Sequence, residues 1–90
     1  MTTLSLAASL DTAAAPALHR ELLARIDARQ PLLLDGSGVR RAGQACLQLL
    51  AAARAAAAAA GLAYAVSDPS DPLADMAALA GLGTVLSPLA

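Results

Sequence analysis

Lysine, phenylalanine and tryptophan are absent from this chain of 90 residues, and tyrosine, cysteine and histidine occur once each. With Tyr64 as the only aromatic residue, the core cannot be built from packed rings. Leucine, isoleucine, valine and alanine must fill it, and leucine supplies most of the volume. A lone Cys46 closes no internal disulfide, so nothing in the chain calls for an oxidising compartment. One cysteine and one histidine, His19, cannot assemble a metal site. The missing lysine removes the residue that a phosphate-binding P-loop requires, and Asp35-Gly36-Ser37-Gly38 lacks the spacing of that loop. It reads instead as a tight turn in which Gly36 or Gly38 takes a positive φ. All six basic residues are arginine, and they face seven acids for a net charge of −1. That balance leaves no basic footprint for nucleic acid and no polybasic patch for anionic lipid.

Alanine accounts for much of the apolar content. The least polar stretch, residues 47–66, is mostly alanine and contains Gln48, Arg54 and Gly61. Such a segment is a poor membrane anchor, so no direct membrane insertion is expected. The opening MTTLSLAASLDTAAAP has no positive flank, and Asp11 interrupts it early. It reads as mature sequence, which with the single cysteine places the protein in the cytoplasm.

The order of elements is β-α-β-α-β-α-β. Leu4 and Leu6 alternate with Thr3 and Ser5, the period of a half-buried strand over Thr3 to Ala8. Asp11 or Thr12 offers an N-cap, and Pro16 falls in the first turn of a helix reaching about Arg29. Leu18, Leu22 and Ile26 form its apolar stripe. Pro31 stops that helix. Leu32-Leu33-Leu34 reads as a central strand, covered on one face or both. A second helix runs from Ala42 or Gly43 to Ala60, with Gly61 as its stop. Leu62 to Val66 is a third strand, and a short helix from about Leu73 to Leu79 closes at Gly81. Thr84 to Leu86 is a last edge strand. Two strand–helix–strand crossovers imply a parallel sheet. The expectation is a single α/β domain over residues 1–90, with about four strands, mostly parallel, and helices packed against them.

No enzymatic centre emerges. His19 sits beside Arg20 and Glu21 with no orienting partner, and reads as a surface histidine. Cys46 lies near a helix N-terminus, where a thiol pKa falls, yet on an apolar face it reads as a small buried hydrophobe. No catalytic residue and no cofactor is expected. Arg40 and Arg41 precede a helix start, where positive charge opposes the helix dipole and adds no stability. Arginine is favoured at protein interfaces for its bidentate contacts with carboxylates. Ser37, Arg40, Arg41 and Gln44 are therefore the candidate partner-binding surface. The alanine-rich helix offers a smooth strip that could seat a second copy, making a homodimer.

The pattern resembles STAS domains. Ser9-Leu10-Asp11 with Ala14 and Leu18 looks like the entry to their first helix. Leu32-Leu33-Leu34-Asp35-Gly36-Ser37-Gly38-Val39-Arg40-Arg41 resembles their central strand and the loop that follows. Leu47-Gln48-Leu49-Leu50 matches the helix that follows, and Asp68-Pro69-Ser70 through Leu82 the last strand–helix segment. Anti-anti-sigma factors of this family carry a phosphate-accepting serine just before the second helix. Gln44 occupies that position here, with Gly43 and Cys46 in place of the usual Asp and Gly, so the resemblance implies no phosphorylation at this site. The stretch Val39 to Leu50 is similar to small degenerate STAS proteins of chemotaxis operons. That likeness implies a non-enzymatic adaptor in bacterial signal transduction, with a chemotaxis histidine kinase or receptor as partner. Two other branches imply an anti-anti-sigma partner switch or an accessory subunit of a phospholipid ABC transporter.

Overall fold

Strand β3 (Leu32–Asp35) lies at the centre of the sheet, as its unbroken leucine run leads one to expect. The computed structural model describes residues 3–89. Two strands flank β3, β1 (Leu4–Ser5) and β5 (Tyr64–Ser67), and both run parallel to it. The register places Leu4 opposite Leu34, Leu34 opposite Val66 and Leu32 opposite Tyr64. Side chains alternate along a strand, so these residues share one face. Leu32, Leu34, Tyr64 and Val66 are buried. Leu33 and Ala65, on the other face, are half-buried, and Ser5 and Ser67 are exposed. The sheet is therefore dry on one face only. A second parallel pair joins β2 (Ser9–Leu10) to β4 (Arg41–Ala42).

Helix α1 (Ala15–Asp27) follows a 3-10 turn over Thr12–Ala14. Asp11 caps that turn, its carboxylate accepting the Ala14 N–H at 3.0 Å. Pro16 sits in the first turn of α1, where its missing N–H costs nothing. The helix ends two residues before the expected Arg29. Arg29 has left-handed backbone, at φ 55°. Helix α2 (Gln44–Ala60) has Gly43 at its N-cap and Gly61 beyond its end. Gly61 has φ 70°, its N–H bonds to Ala58 C=O, and Leu62 N–H reaches back to Ala57 C=O. This is a Schellman stop, which needs a residue without a Cβ penalty in the left-handed region. Gly81 and Leu82 repeat the device after α3 (Asp71–Leu79).

Contacts at both ends show that α1 and α2 run parallel. Near their N-termini Cys46 Sγ meets Asp11 C=O at 3.3 Å, and near their C-termini Arg29 Nη2 donates to Ala60 C=O at 3.2 Å. Leu18 and Leu22 from α1, and Cys46, Leu47, Leu50, Ala53 and Ala57 from α2, face inward. The residues of the sheet's dry face complete one continuous core. The alanines are sized for this arrangement, since Ala53 and Ala57 let α2 approach its neighbours closely.

Two expectations are corrected. Thr84 to Leu86 is not a strand but belongs to a 3-10 turn over Gly83–Leu86. The reason is Tyr64, whose hydroxyl donates to Val85 C=O at 2.7 Å. The chain curls to bring that carbonyl over the ring, burying Val85. Arg54 Nε holds Ser87 C=O at 2.9 Å. Only then does Leu89 reach the β5 edge, as a single antiparallel bridge to Tyr64. The sheet thus has three strands in the order β1-β3-β5, with Leu89 touching the position of a fourth. The second correction concerns Gly36 and Gly38, neither of which has a positive φ. Gly36 serves to leave room, because a Cβ there would lie 2.8 Å from Leu73 Cδ2 and 3.0 Å from Val66 Cγ1.

Burial pushes the Tyr64 phenol up to about 12, against a weaker opposing pull from Arg54. The unfolded chain ionises near ~10, so the folded state holds this proton more tightly. The resulting stability is complete below pH ~10 and is lost as pH rises through about 12. Tyrosinate absorbance should therefore appear together with loss of helical circular dichroism in that window, with no earlier titration. Tyr64→Phe should remove the alkaline transition and cost about 1 kcal/mol at neutral pH, measured by urea denaturation.

Candidate docking site

Parallel strands gather their following loops at one end of the sheet, the usual place for a functional surface in α/β folds. Here the end is formed by the segments after β3 and β5, residues 36–44 and 68–70. The first begins at Asp35, whose Oδ1 accepts the Ser37 N–H at 2.9 Å. The Ser37 backbone N–H, and to a lesser degree its side chain, hold the Asp35 carboxyl below its ordinary value. This is an Asx turn, and it sets the direction in which the chain leaves the strand.

The segment is tied along its length. Gly36 N–H donates to Ser67 C=O at 3.0 Å, and Ser70 N–H returns to Gly36 C=O at 3.1 Å. Ser70 Oγ donates to Val39 C=O at 2.6 Å while accepting the Leu73 N–H that caps α3. On the opposite flank Arg40 and Arg41 N–H both reach Ala8 C=O, at 2.8 and 3.1 Å, and Gly43 N–H reaches Leu10 C=O at 2.7 Å. Val39 and Ala42 turn inward and are buried. Ser37, Arg40, Arg41 and Gln44 are all exposed. The structure thus brings the four expected residues onto the outer side of one short segment. Neither guanidinium of Arg40 or Arg41 has a hydrogen-bond or ion-pair partner among the described residues.

Gln44 is the first residue of α2, and no side chain caps that helix start. The two exposed arginines therefore precede the positive end of the helix dipole in sequence, with Asp11 close to Gly43 on the opposite flank. Such a surface suits carboxylates. Gln44 itself supplies neither a general base nor a phosphate acceptor, since a carboxamide neither accepts phosphate nor carries a titratable proton.

His19 lies away from this segment, whereas Cys46 follows it by two residues and turns into the core. His19 is exposed on α1, at the side of a shallow groove shared with Leu23, Ile26 and Leu49. Cys46 is fully buried beneath the start of α2. Desolvation first, and then the nearby Asp11 charge, raise its thiol pKa. The nucleophile reading required a lowered pKa, so burial wins over the helix dipole here. Among the described residues no group of three or more His, Cys, Asp or Glu could hold a metal ion. No described helix is long and apolar enough to cross a membrane.

The sequence reading missed the part played by Ser70. Ser70-Asp71-Pro72 is a legible helix start, with serine at the N-cap and proline in the first turn. The second bond of its hydroxyl, to Val39 across 31 positions of sequence, has no local signal.

This arrangement can be set beside known proteins. The sequence matches the family described as "Mlab, STAS domain" over residues 1–88. The chain belongs to the STAS family. STAS domains serve in general as binding and regulatory domains. The three helices and parallel strands of this chain agree with the STAS fold. No curated protein and no solved structure matches the chain significantly.

Two outcomes test the local chemistry of this STAS domain. Ser70→Ala removes both a helix cap and the tie to Val39. It should cost roughly 1–2 kcal/mol in urea denaturation and increase amide exchange over residues 37–42. Cys46 should resist thiol-specific reagents in the native state and react fully in denaturant. Rapid labelling of the folded chain would show that the thiol is accessible after all.

Proposed function

We propose that this STAS domain is a non-enzymatic adaptor of bacterial signal transduction, in the cytoplasm, whose docking surface is Ser37, Arg40, Arg41 and Gln44. The observation that carries the reading is the pinning of this segment. Two exposed arginines, without partners among the described residues, sit on a backbone held from both flanks. Little conformational freedom remains for binding to remove, which is the general advantage of a preorganised surface. The same arginines bring no gain to the helix they precede.

The partner is a protein with a carboxylate-bearing surface. The likeness of residues 39–50 to small STAS proteins of chemotaxis operons favours a chemotaxis histidine kinase or receptor. Binding acts by occupancy: a partner held in one conformation by differential contacts shifts its population toward that conformation. With Gln44 where related chains carry a serine, the interaction runs without phosphorylation at this position. Control then falls to the amount of protein or to competition between partners.

Affinity capture of the protein from its native cytoplasm, followed by mass spectrometry, should retain a kinase or receptor of this class. Binding to that purified partner should weaken about tenfold or more in the Arg40→Glu/Arg41→Glu double variant, and should also weaken as salt is raised. Unchanged affinity after double charge reversal would sink the assignment of the surface. A transporter ATPase or an anti-sigma factor as the specific partner would replace the chemotaxis reading with one of the other two branches.

A further inference from the structure

Helix α3 is apolar on two sides. Leu73 and Ala77 face inward and are buried. On the outer side Leu79 is 81% exposed and Met76 36%, with Pro72 exposed one turn earlier. Positions 72, 76 and 79 follow the i, i+4, i+7 spacing of a single helical ridge. Leu23, on α1, is the one other large hydrophobic residue that stands exposed among the described residues. Leu79 gains almost nothing from the fold at such exposure, because burial is what stabilises an apolar side chain.

Asp71 and Asp75, both exposed, lie one turn apart along the flank of this ridge. Asp71 suits the helix N-terminus. Asp75 lies beyond the first turn, where aspartate is a poor helix former, and like charges at i, i+4 repel. Residues 55–90 carry three aspartates, at 68, 71 and 75, and no basic residue. The helix therefore presents an exposed apolar ridge with a carboxylate border, and neither the ridge nor Asp75 is explained by the stability of the chain itself.

We propose that the outer side of α3 is a second docking surface, whose occupant is an amphipathic helix of a partner protein, packing its apolar stripe on Met76 and Leu79 and setting bordering arginines or lysines against Asp71 and Asp75. The charge selects this occupant. A symmetric second copy would bring α3 against itself and face carboxylates with carboxylates. An anionic membrane has the same sign as the border and is repelled. Helix-on-helix contact of this kind needs only a few apolar anchors at one-turn spacing. The inference rests on the reading of the protein as a docking module, but uses a surface opposite in charge to Arg40 and Arg41.

The test titrates the isotope-labelled full chain with a synthetic helical peptide bearing a leucine stripe bordered by lysines, and in parallel with its glutamate-bordered counterpart. Amide signals of Asp71–Leu79 should shift with the lysine peptide and stay unmoved with the glutamate one. Asp71→Lys/Asp75→Lys, and separately Leu79→Ser, should abolish the shifts while the remaining spectrum stays native. These positions are exposed, so the variants are expected to fold. The Arg40→Glu/Arg41→Glu variant should bind the lysine peptide like the unmodified chain, which keeps failure of the first surface distinct from failure of this one. Absence of shifts in α3, equal response to both peptides, or shifts confined to the groove between α1 and α2 would each overturn the proposal. So would α3 shifts that depend on protein concentration alone, which would assign the ridge to a second copy.

Discussion

The pairing of β3 with a parallel strand on each side is the constraint from which the remaining architecture follows. Parallel neighbours cannot be joined by tight hairpins, so each connection must carry the chain back across the sheet. α1 and α2 are those connections, and they therefore run parallel to each other. Their inward residues meet the leucine, tyrosine and valine side chains of one sheet face. A small chain with limited surface to bury gains most by drying one face thoroughly. The other face keeps its serines and half-buried residues.

The same parallel arrangement delivers the loops after β3 and β5 to one end of the molecule. They meet there through Gly36, Ser67, Ser70 and Val39. Gly36 allows the approach, since any larger residue would press on Leu73 and Val66. A surface loop would ordinarily be mobile. This one is held because its carbonyl and amide groups are used by the neighbouring segment and by Ala8 and Leu10. The arginines are thus presented by a rigid backbone, while α3 is anchored to the same loop by the hydroxyl of Ser70.

Much of the fold was legible in local patterns. The 3.6 period of Leu18, Leu22 and Ile26, the stop at Gly61 and the leucine run after Pro31 each reflect interactions within a few residues, and each appears where expected. The last edge strand was misread because its apolar residues suit a strand and a buried turn equally. The choice lay with the Tyr64 hydroxyl, 21 positions away, which needed an acceptor once buried. Gly36 was misread for a related reason. A glycine in a turn suggests backbone freedom, whereas the actual requirement was space beside a side chain from α3. Arg40 and Arg41 could be singled out in the sequence because charge before a helix start has no local benefit.

The sequence by itself determined the three helices and the strands β3 and β5 between them, the parallel topology, the composition of the core and the absence of a phosphate acceptor at position 44. These depend on periodicity, on turn chemistry and on side-chain identity, all of which are local. Only the tertiary structure decided that one sheet face stays partly open, that Cys46 is shielded, that the 36–44 segment is pinned from two flanks, and that Leu79 and Met76 remain outside. Those outcomes depend on which distant groups meet, and a buried donor or a missing Cβ shows its partner only after the chain has closed around it.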